Sequence, residues 1–198
     1  MTHNFKKNFT LHKLQKKVNY TKKNDNPKEK TKSFGSRILN IILDLWIIVV
    51  LIFGRHSIEG QSMYPTYHDG ETAYTMRIFT PLKSGDVVVA ESPVGLELFI
   101  KRIAGCPGDT VEIHPDGTIW VNGKHFEYGE GNALTPQAFP YGHGYMDDTE
   151  DGGKKVTLGK KEYFLIGDNH EHSSDSRFYG AFPRTSIWEK VISPGHKD

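Results

Sequence analysis

The longest uninterrupted apolar run is Ile38 to Phe53, ILNIILDLWIIVVLIF, in which only Asn40 and Asp44 are polar. As a helix its 16 residues span roughly 24 Å, slightly short of a ~30 Å hydrocarbon core. Asp44 is costly at such a position, and it lies in the N-terminal half of the run. Beyond residue 54 the pattern changes to short runs and alternation with period two, the signature of strands. Val87–Ala90 follows the turn Lys83-Ser84-Gly85-Asp86, and Leu96–Ile103 alternates. Thr110–His114 and Thr118–Val121 flank the turn Pro115-Asp116-Gly117 and read as a hairpin. Asn122-Gly123 predicts a second hairpin turn into Lys124–Glu127. Glu162–Ile166 and Ile187–Ile192 are further strands. No amphipathic helix of ten or more residues stands out, so the expected fold is mostly β, an antiparallel sheet domain behind one N-terminal transmembrane helix. Residues 128–160, rich in Gly, Pro and acids, read as an exposed variable loop.

Charge sharpens this division. The 198 residues carry a formal net charge of +1, but residues 1–37 hold 11 of the 25 Lys and Arg with only Asp25 and Glu29 against them. That arm is +9, and residues 55–198 are −7. Such an arm suits nucleic acid or a solvated cytoplasmic tail, and the apolar run after it favours the tail over a nucleic-acid partner. A buried core helix leaves the arm unexplained. A cleaved signal peptide calls for small residues after the run, where Gly54-Arg55-His56-Ser57-Ile58-Glu59 offers no A-x-A-like site. An uncleaved anchor over 38–54 is the reading, with residues 1–37 cytoplasmic and residues 55–198 exported by the positive-inside rule. The one cysteine, Cys106, forms no internal disulfide, and no Cys/His framework for zinc is present.

Three segments carry candidate chemistry. The first, Ile58 to Thr66, contains Ser62-Met63-Tyr64-Pro65-Thr66; alone it is an ordinary turn. In the second, Phe99 to Asp109, alternation places Phe99, Lys101 and Ile103 on one face and Leu98, Ile100 and Arg102 on the other. Lys101 is then either a lysine snorkelling from a strand edge or a desolvated amine with a depressed pKa, able to act as a base. The third runs from Gly167 through Asp168-Asn169-His170-Glu171-His172-Ser173-Ser174-Asp175-Ser176-Arg177 to Gly180.

In this order the three segments resemble the bacterial type I signal peptidases, through S-M-Y-P-T, K-R-I-x-G-x-P-G-D and G-D-N-x-x-x-S-x-D-S-R-x-x-G. The small size and single anchor are similar to the Gram-positive branch. The resemblance implies a serine endopeptidase with no cofactor, in which Ser62 attacks the scissile carbonyl and Lys101 takes its proton. It assigns Ser173 to orienting the lysine and Asp168, Asp175 and Arg177 to holding the site together. The Ser62 backbone N–H joins the oxyanion hole; Gly60 stands where some members carry a serine that donates a second bond. Ile58, Met63, Phe99 and Ile100 match positions lining pockets for small residues at −1 and −3, each with core packing as the competing reading. The family's Arg-Asp after Gly-Asp-Asn is His170-Glu171 here; His170 and His172 read as solvated loop residues, with no metal site expected.

The implied substrates are exported pre-proteins with A-x-A-type sites. Phospholipid and, indirectly, the translocation machinery are the other implied partners, and a bacterial plasma membrane the location. One geometric argument stands apart from the resemblance. Residues 54–61, the eight between the apolar run and Ser62, reach about 28 Å at most, so Ser62 belongs near the outer membrane surface, where a pre-protein's cleavage site also lies. The substrate is expected to add as a β-strand. Two alternatives remain: an inactive anchored relative that binds without cutting, and another Ser/Lys protease of the same fold.

Overall fold

The computed structural model describes residues 27–77, 81–93, 95, 97–129 and 145–196, with side chains from residue 34 onward. The chain forms two compact units, Met1–Leu51 and Ile52–Asp198.

In the first unit a helix spans Pro27–Ile52. Proline suits the first helical turn, where its missing N–H leaves no bond unmade. Phe34–Ile52 is a 19-residue apolar stretch of mean hydropathy 2.1, none of it buried. A helix whose side chains are apolar around most of its circumference suits a lipid environment. The span is longer than the 16-residue run because the four residues Phe34–Arg37 join it while Phe53 passes to the first strand, and at about 28 Å it approaches the hydrocarbon thickness. It stops at Ile52, where Phe53 opens the first strand.

The second unit is antiparallel β. A seven-stranded sheet has the order β1 (Phe53–Ser57), β2 (Thr72–Arg77), β12 (Ile187–Val191), β3 (Val87–Glu91), β4 (Leu98–Gly105), β10 (Glu162–Ile166), β11 (Phe182–Pro183). A five-stranded sheet runs β7 (Lys124–His125), β6 (Ile119–Val121), β5 (Thr110–Ile113), β9 (Lys154–Thr157), β8 (Asp147–Asp148). Alternation sorts the first sheet's side chains into two layers. Val88, Ala90, Ile103, Leu165 and Ile187 enter one cluster, and Val87, Val89 and Val191 enter another with Ile58, Met63, Tyr67 and Ala73. A third cluster, with Val111, Ile113, Ile119, Val156, Phe164 and Ile166, fills the second sheet and receives the face of β10 opposite Tyr163 and Leu165.

The expected hairpins form. Ile113 pairs with Ile119, and Asn122-Gly123 turns the chain with φ of 53° and 72°, the left-handed pair that a two-residue hairpin loop requires. Strand β7 is shorter than expected, two residues instead of four. Of the loop read over 128–160, residues 130–144 lie outside the described residues, but its C-terminal part is sheet. Val156 and Leu158 are buried between exposed Lys155 and Thr157, an alternation hidden within a Gly- and acid-rich composition. Strands β1 and β2 were not legible either. In β2 the threonine Thr75 is fully buried and Tyr74 is 57% exposed, so hydropathy reads the strand the wrong way round.

Candidate active site

Ser62 stands in a tight turn after Ile58, with the Tyr67 N–H donating to the Met63 carbonyl (2.9 Å) and the Tyr64 N–H to Gln61 (3.1 Å). Burial of Ile58, Met63 and Tyr67 seats this turn on the core, and Ser62 between them remains half-exposed. Its carbonyl accepts the Asn169 N–H (3.0 Å), tying the turn to the segment after β10. Its own N–H has no hydrogen-bond partner among the described residues. The N–H of Gly60 is already engaged by Asp69 (2.8 Å).

Lys101 lies in the middle of β4, paired with Val88 of β3 and 4% exposed. Its Nζ donates to Ser62 Oγ at 2.7 Å and to its neighbour's carbonyl on Ile100 at 3.1 Å, and sits 5.2 Å from the centre of the Phe99 ring. The face predicted by alternation is the face observed. Burial strips water from the amine and lowers its pKa to about 8; Asp175 and Asp168 oppose that effect and Arg177 adds to it. At neutral pH roughly a tenth of such amines are uncharged, against fewer than one in a thousand for a lysine in water. An uncharged amine at hydrogen-bond distance from a hydroxyl can take its proton.

Two buried ion pairs flank these residues. Asp175 is fully buried and accepts five bonds: from Arg177 Nε (2.9 Å), Nη2 (2.9 Å) and backbone N–H (3.2 Å), from Ser173 Oγ (2.6 Å) and from the Gly167 N–H (3.0 Å). Burial alone would raise its carboxyl; the Arg177 charge and these bonds outweigh it and hold the group below the usual carboxylate range. Arg177 also donates to the carbonyls of His170 (2.8 Å) and Ser173 (3.4 Å), so one guanidinium organises the loop between β10 and the short helix Ser176–Tyr179. On the other side Asp168 accepts a two-pronged bond from Arg102 Nε (2.8 Å) and Nη2 (2.6 Å), and a third from Thr66 Oγ1 (2.5 Å). Arg102 stacks its guanidinium 4.5 Å from the Tyr128 ring. Gly167 is where the two halves meet: a Cβ there would strike the Ser173 hydroxyl and the Ser62 carbonyl.

The ten residues singled out in the sequence are not all brought together in the expected way. Ser173 is buried beside the site, but its hydroxyl goes to Asp175 instead of Lys101, because a charged carboxylate two residues on is the stronger acceptor. Ile58 and Met63 are 3% and 1% exposed and pack in the core, whereas Phe99 and Ile100 are half-buried and retain accessible surface. His170 is a correction. It is buried, in the 3-10 turn His170–His172, because Arg177 draws its backbone inward; His172 is exposed as expected. The structure adds Thr66 and Arg102 to the site; both stand inside the quoted motifs, where the arginine next to Lys101 is the signal that the sequence offers.

A family model described as signal peptidase, peptidase S26, matches residues 31–194. Signal peptidase I T of Bacillus subtilis (strain 168) is 35% identical over 156 residues, covering 76% of this chain and 78% of its own. Signal peptidase I of Bacillus licheniformis is 36% identical over 145 residues, covering 71% and 74%. Signal peptidase IB of Staphylococcus aureus (strain Mu50 / ATCC 700699) is 32% identical over 160 residues, covering 74% and 80%. The crystal structure of a signal peptidase I from Enterococcus faecalis V583 aligns with a TM-score of 0.40 at 25% identity, over 58% of this chain and 98% of that one. Three ordered motifs, a family match across most of the chain and these relatives agree: the chain belongs to the signal peptidase I family, the serine hydrolases of peptidase family S26.

Proposed function

We propose that this signal peptidase cuts exported pre-proteins with Ser62 as nucleophile and Lys101 as general base. The observation that carries this reading is the 2.7 Å contact between Lys101 Nζ and Ser62 Oγ, with the amine buried and its pKa lowered to about 8. The uncharged amine accepts the Ser62 proton as Oγ attacks the scissile carbonyl. The resulting ammonium gives that proton to the departing amine, leaving an acyl-enzyme. Lys101 then takes a proton from the water that attacks the ester. The Ser62 N–H, which has no hydrogen-bond partner among the described residues, is the donor for the developing oxyanion. Asp168 with Arg102 and Asp175 with Arg177 position the turn and the lysine from either side. Ser173 is a positioning residue that acts through Asp175 in this arrangement.

The substrate is an extended segment with small residues such as Ala at −1 and −3, received against Phe99 and Ile100. Residues 38–54, which begin inside the helix Pro27–Ile52, are a single membrane anchor with residues 1–37 cytoplasmic and 55–198 on the outer face. The +9 arm supports that orientation, and the short covalent link to Ser62 supports cleavage at the lipid surface, where translocated chains emerge. Cleavage of a pre-protein bearing an A-x-A site by the purified enzyme in detergent, beside Ser62→Ala and Lys101→Ala, tests the reading. Cleavage at the A-x-A junction by the unaltered enzyme alone supports it. Undiminished cleavage by Lys101→Ala refutes the dyad, and a folded enzyme that binds the pre-protein without cutting it is the inactive relative.

A further inference from the structure

Outside the Ser62 site, His68, Glu71 and His196 converge on the surface beside the turn that carries the serine. His196 Nε2 lies 2.7 Å and His68 Nδ1 3.4 Å from Glu71 Oε1, and the three ligand-type atoms all fall within 4.8 Å of one another. The two imidazole centres are 4.8 Å apart. A tetrahedral zinc ion with bonds of about 2.0–2.1 Å keeps its ligands roughly 3.3 Å apart, so small side-chain rotations of exposed rings close the set. The backbone presenting these side chains is tied down. The Glu71 N–H bonds the His68 carbonyl (3.2 Å), the His68 N–H bonds Glu71 Oε2 (3.0 Å), and the His196 N–H bonds the Thr66 carbonyl (2.8 Å).

We propose that His68, Glu71 and His196 bind a divalent transition-metal ion of the zinc class, which clamps residues 193–196 onto the loop that bears Ser62. Two imidazoles and one carboxylate select zinc, or cobalt in its place, over magnesium and calcium, which prefer all-oxygen sites. His196 lies far in sequence from His68 and Glu71, so the ion adds to the bonds from the His196 N–H to the Thr66 carbonyl and from the Tyr67 hydroxyl to the Ser193 carbonyl (2.8 Å) that already join these segments. Thr66 is also the residue whose hydroxyl reaches Asp168, so the clamp bears on the buried Asp168–Arg102 pair through a single residue. The proposal is independent of the peptidase reading, because its measurements are of binding and stability.

The test uses the full chain in detergent, stripped with chelator, titrated with zinc chloride calorimetrically and with cobalt(II) by visible absorption. We expect one ion per chain, ligand-field bands for cobalt, and no displacement by a hundredfold excess of magnesium or calcium. Each of His68→Gln, Glu71→Gln and His196→Ala weakens zinc binding by about tenfold or more. Zinc raises the Tm of the unaltered protein by about 3 °C or more, and His196→Ala abolishes that rise while its metal-free Tm stays at the wild-type level. Absence of zinc binding would show a hydrogen-bonded surface cluster only. Unchanged affinity in His196→Ala would place the ion elsewhere, and displacement by magnesium would show a non-selective acidic site. Any of these three results overturns the proposal.

Discussion

The Lys101 amine and the Ser62 hydroxyl, 39 residues apart in the chain, meet at 2.7 Å, each presented by its own element. Ser62 is set by a turn anchored through Met63 and Tyr67, and Lys101 by the pairing of β4 between β3 and β10. The two elements share a core cluster, in which Met63 of the turn and Ile100 of β4 both pack, and converge on one hydrogen bond.

The first prediction follows from that bond. Ser62→Ala and Lys101→Ala each lower kcat by about 10⁴-fold or more, and the double variant is no worse than either single one, since the two act as a unit. Lys101→Arg is as inactive, because a guanidinium does not lose its proton near neutral pH. Kinetics of pre-protein cleavage, with circular dichroism to establish the fold, decide the matter; a Lys101→Arg enzyme with substantial activity contradicts the neutral-amine mechanism.

Acidity should act through the same amine. Only uncharged Lys101 is competent, so with its pKa near 8 the rate climbs about tenfold per pH unit below 8 and levels off above it. A profile of kcat/KM between pH 5 and pH 10 measures this. A rate that is flat from pH 5 to pH 8 sinks the assignment.

Function at Lys101 is obtained against stability. Moving a lysine from its ordinary 10.5 to about 8 costs roughly 3 kcal/mol below pH 8, where the unfolded chain is protonated and the folded site resists protonation. The folded pKa is depressed, so the unfolded state binds more protons between pH 8 and 10.5. Stability therefore rises through that window and the penalty is fully present below it. Lys101→Met should raise Tm by several degrees at pH 7 and gain less at pH 10. Equal Tm differences at the two pH values would show that the amine carries no such penalty.

The buried pairs give a further expectation. Asp168→Ala leaves Arg102 charged, 7% exposed and without its two-pronged partner, and should cost about 3–5 kcal/mol in chemical denaturation. The milder Thr66→Val removes one neutral donor and costs about 1 kcal/mol. If the two losses are equal, the guanidinium is not the group that Asp168 serves.

Ser173 and Gly167 probe positioning. Ser173→Ala should lower kcat by roughly a hundredfold with KM nearly unchanged and the acid limb still near pH 8, because Ser173 orders Asp175 and leaves the Lys101 amine itself untouched. Gly167→Ala pushes on both Ser173 and Ser62 and should damage kcat and stability together, the latter by about 1–3 kcal/mol. An acid limb displaced by more than one pH unit in Ser173→Ala would instead show direct contact with the lysine during catalysis.

Local order along the chain was enough for much of this protein. The apolar run ending at Phe53, the +9 arm, the Asn122-Gly123 hairpin and the face of β4 that carries Lys101 are each written in a few consecutive residues, because helix and strand periods are local properties. The three motifs likewise named Ser62, Lys101, Asp168, Asp175 and Arg177 without any coordinates. Only the tertiary structure decided which acceptor Ser173 serves, that Ile58 and Met63 are core, that His170 is buried, and that Thr66 bridges Asp168 to His196. It also decided that β1 and β9 are strands, since their partners in β2 and β5 lie 15 to 47 residues away in sequence. Burial and long-range bonding depend on which distant segments arrive, and no window of the sequence contains both ends of such a contact.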